Sequence, residues 1–90
     1  MLKVKTSKQF KKDLKKIQNN KNLLNKLQVV INKIASFKEL EINFKDHQLK
    51  WELSNFRECH VTPDFLLIYK VEKEELILIL ARAWTHSELF

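Results

Sequence analysis

The 90-residue chain contains no glycine, one proline and one cysteine. Glycine-rich phosphate loops and dinucleotide fingerprints need glycine where the backbone approaches phosphate, so neither kind of site exists here. Any phosphate chemistry must therefore use side chains. The lone Cys59 excludes an internal disulfide and suits a reducing cytoplasm. The longest apolar runs, Phe65–Tyr69 and Leu76–Ala81, are far shorter than the ~18 residues of a membrane span, and the N-terminus lacks a signal-peptide pattern. We therefore expect a cytoplasmic protein that does not enter a membrane.

Acidic residues are scarce in the first half of the chain. Residues 1–50 carry thirteen lysines and four acidic residues, a formal charge of +9, whereas residues 51–90 carry four basic and seven acidic residues, a charge of −3. Such asymmetry predicts a polyanionic or acidic partner for the N-terminal half. The alternative is a lysine-rich face that is merely solvated. The candidate RNA contacts on the first predicted helix are Lys8, Lys11, Lys12 and Lys15.

The chain length predicts a single domain spanning residues 1–90, and the residue pattern predicts an α+β fold. "LKVKT" alternates like a short strand, and Thr6 or Ser7 is a candidate N-cap for a helix running to about Gln18. Asparagines 19, 20 and 22 are expected to break this helix, and a second helix is predicted from Leu23 to Ser36. Together the two helices indicate a helical hairpin.

The second half of the chain is predicted to be an antiparallel sheet. After a loop from Phe37 to His47, short turns separate four alternating or apolar runs, which is typical of hairpins. Two of these strands are apolar on both faces, so both faces need a cover. The helical hairpin can cover one face, and the C-terminal tail, a second copy or another protein would cover the other. The predicted strands are Gln48–Leu53, Phe56–Val61, Phe65–Val71 and Leu76–Arg82.

Polar residues cluster around the segment "FRECHVTPDFLLIYK". Side chains alternate along a strand, so Glu58 and His60 share one face while Cys59 points to the other and is interpreted as a core residue. Cys59 and His60 therefore do not form a nucleophile–base pair. Pro63 predicts a turn, which could bring Asp64 back toward His60.

Each of these residues also has a purely structural explanation. A single histidine is most often a partly exposed residue with a local hydrogen bond, and an aspartate after proline is most often a turn former. A zinc site built from the three histidines is disfavoured because they lie on three separate segments, with no H-x-H or HExxH motif. We therefore predict no metal and no cofactor.

The segments "KDHQL", "FRECHVTPDFLLIYK" and "RAWTHSELF", in this order, resemble the YafQ branch of the RelE/ParE toxin superfamily. The resemblance implies a RelE/ParE-like fold and a ribosome-dependent mRNA endoribonuclease, the toxin of a type II toxin–antitoxin pair. It also implies a cognate antitoxin, the ribosome and mRNA as partners, with a monomeric free toxin and a hetero-oligomeric toxin–antitoxin complex. The positions that match the family's active residues are His47, Glu58, His60, Asp64, His86 and Phe90, and Arg82 matches a basic position near them.

The implied chemistry is general acid–base cleavage without metal. A ribose 2′-OH would attack the adjacent phosphorus, with His47 as base and His86 as acid, or the reverse, because imidazole serves either role near neutral pH. His60 and Arg82 would stabilise the phosphorane, and Glu58 and Asp64 would orient the histidines. This chain departs from the family at two usual glycines, with Lys50-Trp51-Glu52 after the "DHxL" turn and Trp84 before His86. Trp84 could offer a stacking surface for a base.

Two other functions remain open at this level. One is a non-enzymatic inhibitor of gyrase on the same scaffold, as in the ParE branch. The other is a basic nucleic-acid-binding module in which the histidines are incidental. The three histidines favour the nuclease, because a pure binding module does not need three titratable groups around one pocket.

Overall fold

The computed structural model describes residues 1–85 and has the α+β architecture predicted from the sequence. The elements are β1 (Lys3–Thr6), α1 (Lys8–Lys16), α2 (Lys21–Ala35), β2 (His47–Gln48), β3 (Arg57–Thr62), β4 (Phe65–Glu72) and β5 (Ile77–Thr85). The five strands form one sheet of order β1-β5-β4-β3-β2, in which β1 is parallel to β5 and the other neighbours are antiparallel. Helices α1 and α2 connect β1 to the rest of the sheet.

Helix α1 begins at a residue that also ties it to the sheet. The Ser7 hydroxyl accepts a hydrogen bond from the Phe10 backbone N–H at 2.9 Å, which makes Ser7, not Thr6, the N-cap. The same hydroxyl donates to the Ala81 carbonyl of β5 at 2.7 Å. Ala81 is the extra residue of a β-bulge, because the register of β4 against β5 shifts between the pairs Ile68–Arg82 and Tyr69–Leu80. One side chain therefore fixes both the start of α1 and the irregular part of β5.

Asparagine separates the two helices, as the sequence predicts, but α2 begins two residues earlier than predicted. The Asn20 side chain accepts the Leu23 N–H at 3.1 Å and caps α2, which places Asn22 within the first turn. Neither helix found in residues 1–85 has the length and apolar composition needed to cross a membrane.

The main core lies between the helices and one face of the sheet. Phe10 of α1 and Leu27 and Val30 of α2 pack with Leu67 of β4 and Leu78 of β5, and all five side chains are buried. Burial of an apolar side chain of this size contributes about 1.5–3 kcal/mol, so this interface supplies much of the stability of the fold.

The predicted strand Gln48–Leu53 is wrong. Strand β2 ends at Gln48, and Trp51–Leu53 form one turn of 3-10 helix that begins with Trp51 at a left-handed φ of 56°. Alternation over so short a segment fits a strand and a turn equally well, and here Leu53 and Phe56 line the same shallow cavity on the second face of the sheet. The predicted loop between α2 and β2 contains a further 3-10 turn, Ile42–Phe44.

The second face of the sheet receives part of its cover from within the chain. Leu66 and Ile68 of β4 are buried but lie outside the helix-side core cluster. A shallow cavity of about 260 Å³ on this face is lined by Ile68 together with Leu53, Phe56 and Trp84. The 3-10 turn that replaces the predicted strand therefore helps to cover an apolar face that the sequence analysis left open.

Candidate active site

The strand register places four residues in a row across the second face of the sheet. His47 pairs with Glu58, Glu58 with Ile68, and Ile68 with Arg82. Paired residues of antiparallel strands project to the same side, so these side chains share a face. With ~4.8 Å between strands, the backbone of Arg82 lies ~10 Å from that of Glu58 and ~14 Å from that of His47. Three polar residues that are far apart in the sequence thus lie in one row, with the apolar Ile68 between Glu58 and Arg82.

His47 and Glu58 lie side by side on this face, and they form an ion pair only when the His47 ring is protonated. His47 Nε2 lies 3.5 Å from Glu58 Oε1, and His47 Nδ1 lies 2.7 Å from the Lys45 carbonyl oxygen. A carbonyl can only accept, so Nδ1 carries a proton and the neutral ring has its lone pair on Nε2. Nearly half of the His47 side chain is exposed, against 16% for Glu58. The geometry therefore gives a solvent-accessible proton acceptor with a carboxylate beside it.

His60 and Cys59 point to opposite faces, as the alternation predicts. His60 pairs with Leu66, and Leu66 pairs with Trp84. These three residues form the next row on the face that carries Glu58. Cys59 is fully buried in the helix-side core. Burial raises the pKa of the Cys59 thiol to about 12, with smaller contributions from the carboxylates of Asp46 and Glu58. The interpretation of Cys59 as a core residue is confirmed.

We expect the Cys59 thiol to be inert in the folded protein. The thiolate is the reactive form, and a buried thiol with a pKa of about 12 forms almost none near pH 8. Iodoacetamide at pH 8 should leave the native protein unmodified over a period in which urea-unfolded protein is fully alkylated. Equal labelling of native and unfolded protein, measured by mass spectrometry, would contradict the burial of this residue.

Arg82 is held by a buried carboxylate that the sequence analysis did not select. Its Nε and Nη2 donate to Asp13 of α1 at 2.9 and 3.2 Å, and its guanidinium carbon lies 3.9 Å from the centre of the Trp84 ring. Trp84 was predicted as a stacking surface for a base, but one of its faces is taken by Arg82. Its indole N–H is buried and has no hydrogen-bond partner among the described residues.

Asp13 is 1% exposed and makes four hydrogen bonds. Besides the two from Arg82, it accepts the backbone N–H of Ala83 at 3.0 Å and the side-chain amide of Gln9 at 3.1 Å. Burial by itself would raise the pKa of Asp13, but the hydrogen bonds from Arg82, Ala83 and Gln9 outweigh it, and the pKa is lowered. Asp13 is therefore a carboxylate in the folded protein and compensates the charge of Arg82.

Within residues 1–85, the remaining predicted residues, Asp64 and the selected lysines of α1, are exposed, and none of them is hydrogen-bonded to His47 or Glu58. Asp64 is exposed in the two-residue turn between β3 and β4 and lines a cavity with Thr85, the last described residue. No hydrogen bond links Asp64 to His60 among the interactions of the described residues. His86 and Phe90 lie outside the described residues. All four selected lysines of α1, Lys8, Lys11, Lys12 and Lys15, are exposed.

Sequence reasoning missed Asp13, Asp46 and Tyr69, although a signal existed for two of them. Asp13 lies three residues after Phe10 and four before Ile17, so it falls on the apolar stripe of a lysine-rich helix, where a carboxylate needs a partner. Asp46 directly precedes His47, on the opposite face of the strand. Tyr69 lies in a strand that is otherwise mostly apolar, and nothing in the local pattern indicates that its hydroxyl donates a hydrogen bond to Asp46.

The possible metal ligands of the described residues do not cluster. Among residues 1–85, no group of three or more histidine, cysteine, aspartate or glutamate side chains is arranged to hold a metal ion. His47 and Glu58 supply two adjacent donors, whereas a structural or catalytic zinc site uses at least three protein ligands. This part of the chain does not by itself fit a metal centre.

Comparison with known proteins gives consistent matches over the whole chain. The family model for the bacterial toxin of type II toxin–antitoxin systems, YafQ, matches residues 2–90. The mRNA interferase toxin YafQ of Escherichia coli strain B is 36% identical over 83 residues, covering 91% of this chain and 88% of that protein. A crystal structure of a metal-bound toxin from Helicobacter pylori is 47% identical, with full coverage of both chains and a TM-score of 0.89.

A further match comes from a complex. YafQ in the crystal structure of the E. coli DinJ–YafQ toxin–antitoxin complex superposes with a TM-score of 0.83 at 32% identity, covering 99% of this chain and 97% of that one. The family model, the sequence relatives and the solved structures all agree with the resemblance seen in the motifs. This chain belongs to the YafQ family of bacterial toxins of type II toxin–antitoxin systems.

Proposed function

We propose that this protein is a ribosome-dependent mRNA endoribonuclease that inhibits translation as the toxin of a type II toxin–antitoxin pair. The observation that carries the proposal is the contact between His47 and Glu58 on the face that also presents His60. His47 is an accessible proton acceptor at the position that matches an active residue of the family. The relatives named mRNA interferase toxin YafQ support the same substrate class.

His47 is the proposed general base. Its Nε2 takes the proton of the ribose 2′-OH, whose oxygen attacks the adjacent phosphorus. The 5′-oxygen then leaves with a proton from the general acid, for which we propose His86, so that the products are a 2′,3′-cyclic phosphate and a 5′-hydroxyl. The Glu58 carboxylate, 3.5 Å from Nε2, stabilises the imidazolium that His47 becomes during the transfer.

The roles of the remaining residues follow from where they lie. His60, one row from Glu58, is proposed to donate a hydrogen bond to the phosphorane. Arg82 binds Asp13 through Nε and Nη2, so we propose Nη1 for a phosphate oxygen. Because Asp13 compensates its charge, Arg82 contributes a directed hydrogen bond more than a net positive charge. Asp64, at the turn beside Thr85, is proposed to orient His86, and Phe90 and the outer face of Trp84 are proposed to contact RNA.

No step of this mechanism uses a metal ion. The related toxin from H. pylori has been crystallised with bound metal, but the described residues of this chain do not bring three such ligands together. Imidazole and carboxylate side chains are sufficient for the two proton transfers.

The proposed partners are a cognate antitoxin, the ribosome and its mRNA, in the cytoplasm. The related toxin–antitoxin complex supports the first of these. An acidic antitoxin would neutralise the exposed lysines of α1 and cover apolar side chains that are exposed here, such as Ile42 and Phe37. We propose that the free toxin is a monomer and that the complex is hetero-oligomeric.

The four exposed lysines of α1 are expected to bind ribosomal RNA. Changing Lys8, Lys11, Lys12 and Lys15 together to glutamine should weaken ribosome binding and flatten its salt dependence, because each lost phosphate contact lowers the slope of log K against log salt by roughly 0.7–0.9. The control removes the same charge from four other exposed lysines, Lys21, Lys26, Lys38 and Lys73. If both variants lose the same slope, only net charge matters and the α1 surface has no special role.

One assay tests the proposed function against its alternatives. Purified protein is added to a translating extract, with and without 1,10-phenanthroline to remove transition metals while leaving Mg²⁺, and breaks in the mRNA are mapped by primer extension. Cuts at fixed positions within codons, unchanged by the chelator and absent without ribosomes, are expected. Gyrase inhibition without cuts would favour the ParE-like alternative, and loss of cutting with the chelator would refute metal independence.

A further inference from the structure

Strand β2, which carries His47, is too short to be rigid through its own pairing. It consists of His47 and Gln48 at the edge of the sheet and pairs with β3 at two positions. It follows Lys45, which takes a left-handed φ of 50° without being glycine. A catalytic side chain must nevertheless be held to within about 0.5 Å of its working position. The position of His47 therefore depends on other contacts of the segment around it.

Those contacts lie on the opposite face of the sheet. The Asp46 carboxylate, one residue before His47, accepts a hydrogen bond from the Tyr69 hydroxyl at 2.5 Å and from Arg57 Nη2 at 3.0 Å. Arg57 Nε lies 3.3 Å from both carboxylate oxygens. Tyr69 is buried in the middle of the sheet on β4, so the network ties the edge segment to the rigid centre of the fold.

The residue on the other side of His47 is held by the same arginine. Gln48 Oε1 accepts from Arg57 Nη1 at 3.4 Å, and its amide nitrogen donates to the carbonyls of Ser54 and Phe56. Arg57 thus contacts the residues before and after His47. Its neighbour on β3 is Glu58, the partner of His47 on the catalytic face.

The Tyr69 hydroxyl is the donor of its hydrogen bond to Asp46. Burial raises the pKa of Tyr69, and its hydrogen bond to the Asp46 carboxylate raises it further. The hydroxyl is therefore protonated near neutral pH and can donate to Asp46 from the interior.

We propose that Asp46, Arg57 and Tyr69 are positioning residues that fix the His47 ring, with Nδ1 on the Lys45 carbonyl and Nε2 beside Glu58. They do not touch substrate, because they lie on the other face of the sheet. The catalytic consequence rests on the proposed role of His47 as general base. The structural part, the orientation and tautomer of the ring, is independent of any RNA chemistry.

The structural part is tested by NMR on the free protein without RNA. Nitrogen-15 spectra of the three histidines, with His47 assigned from a His47→Gln sample, report which ring nitrogen carries the proton. The wild type is expected to show protonated Nδ1 and unprotonated Nε2 at His47 in the neutral ring. Tyr69→Phe, which removes one hydroxyl, and Asp46→Asn, which weakens the Arg57 contacts, are expected to shift the ring toward a mixture of tautomers.

The catalytic part is tested by steady-state cleavage kinetics on programmed ribosomes. In both variants kcat is expected to fall about 10–100-fold, as for a reacting group displaced by ~1 Å, with little change in KM. The matched control is Glu41→Gln in the same loop, which removes the ion pair of Glu41 with Lys33 of α2 and leaves the hydrogen bonds of Asp46 with Arg57 and Tyr69 in place. It should leave both readouts unchanged.

The outcomes separate the two proposals. Wild-type tautomer and kcat in folded Tyr69→Phe and Asp46→Asn, measured well below their melting temperatures, would overturn the positioning role, even if stability fell. If the wild type does not cut mRNA, the proposed function fails, and the NMR result alone decides whether the network positions His47. A changed tautomer with unchanged kcat would limit the network to a structural role and refute its catalytic consequence.

Discussion

Replacing His47 with alanine is expected to slow mRNA cleavage on the ribosome by about 10²–10⁴-fold, the usual contribution of one well-placed proton transfer. The side chain is half exposed and makes its two polar contacts with the Lys45 carbonyl and with Glu58, and neither Lys45 nor Glu58 is fully buried. Stability and ribosome binding should therefore stay close to those of the wild type. Single-turnover cleavage under saturating protein measures the chemical step directly.

Glu58→Gln provides the matched comparison. Glutamine keeps the shape of the side chain but removes the charge beside His47 Nε2, so it stabilises the imidazolium less. We expect a smaller loss of rate than for His47→Ala, and little further loss when both changes are combined, because residues that act as one unit are not additive. Full cleavage activity in a folded His47→Ala protein would rule out His47 as the base and leave Glu58 as the candidate.

The parts of the fold that could be predicted from the sequence depend on local periodicity. Phe10, Leu14 and Ile17 recur at helical spacing, and alternation in β3 correctly sends Cys59 to the core and Glu58 to the other face. Such patterns arise because a helix or strand buries one side, which the nearby residues alone reveal. The same reasoning failed where a short segment was compatible with two conformations: Trp51–Leu53 was predicted as strand and forms a 3-10 turn.

The site could be predicted only in part, for a related reason. Glu58 and His60 share a face by alternation, but the contact of Glu58 with His47 depends on the pairing register of a two-residue strand. The link between Asp13 and Arg82 joins residues 69 positions apart, and no local pattern records it. Such contacts arise from the tertiary packing of α1 against β5, which periodicity does not determine.

Asp13→Ala is expected to be strongly destabilising. It leaves the Arg82 guanidinium and the Ala83 N–H without their common acceptor, and breaking a buried ion pair in this way costs about 3–5 kcal/mol. Small domains have a total unfolding free energy of only about 5–15 kcal/mol. In a domain of this size a loss of 3 kcal/mol lowers the melting temperature by roughly 12–24 °C. Urea denaturation followed by circular dichroism measures the difference.

The double variant Asp13→Leu, Arg82→Met distinguishes loss of the ion pair from loss of packing. If the cost of Asp13→Ala comes from an uncompensated charge, removing both charges together should recover most of the stability. A double variant as unstable as Asp13→Ala would show instead that the Ala83 N–H and the packing around α1 dominate. In the wild type the Arg82 guanidinium stacks on one face of the Trp84 ring. Both variants are expected to lose this stacking contact.

The pH dependence of stability gives an independent check on Asp13. Its pKa is lower in the folded protein than the 3.8 of the free side chain, so below that value the unfolded chain binds a proton more readily than the folded one. The contribution of Asp13 is therefore complete above about pH 4 and is lost as the pH falls through the lowered folded value. The unfolding free energy of the wild type should decline more steeply below about pH 4 than that of Asp13→Asn, which has no carboxylate to protonate. Parallel curves for the two proteins would mean that Asp13 is not ionised against Arg82, and that the guanidinium is free to act as a full cation toward RNA.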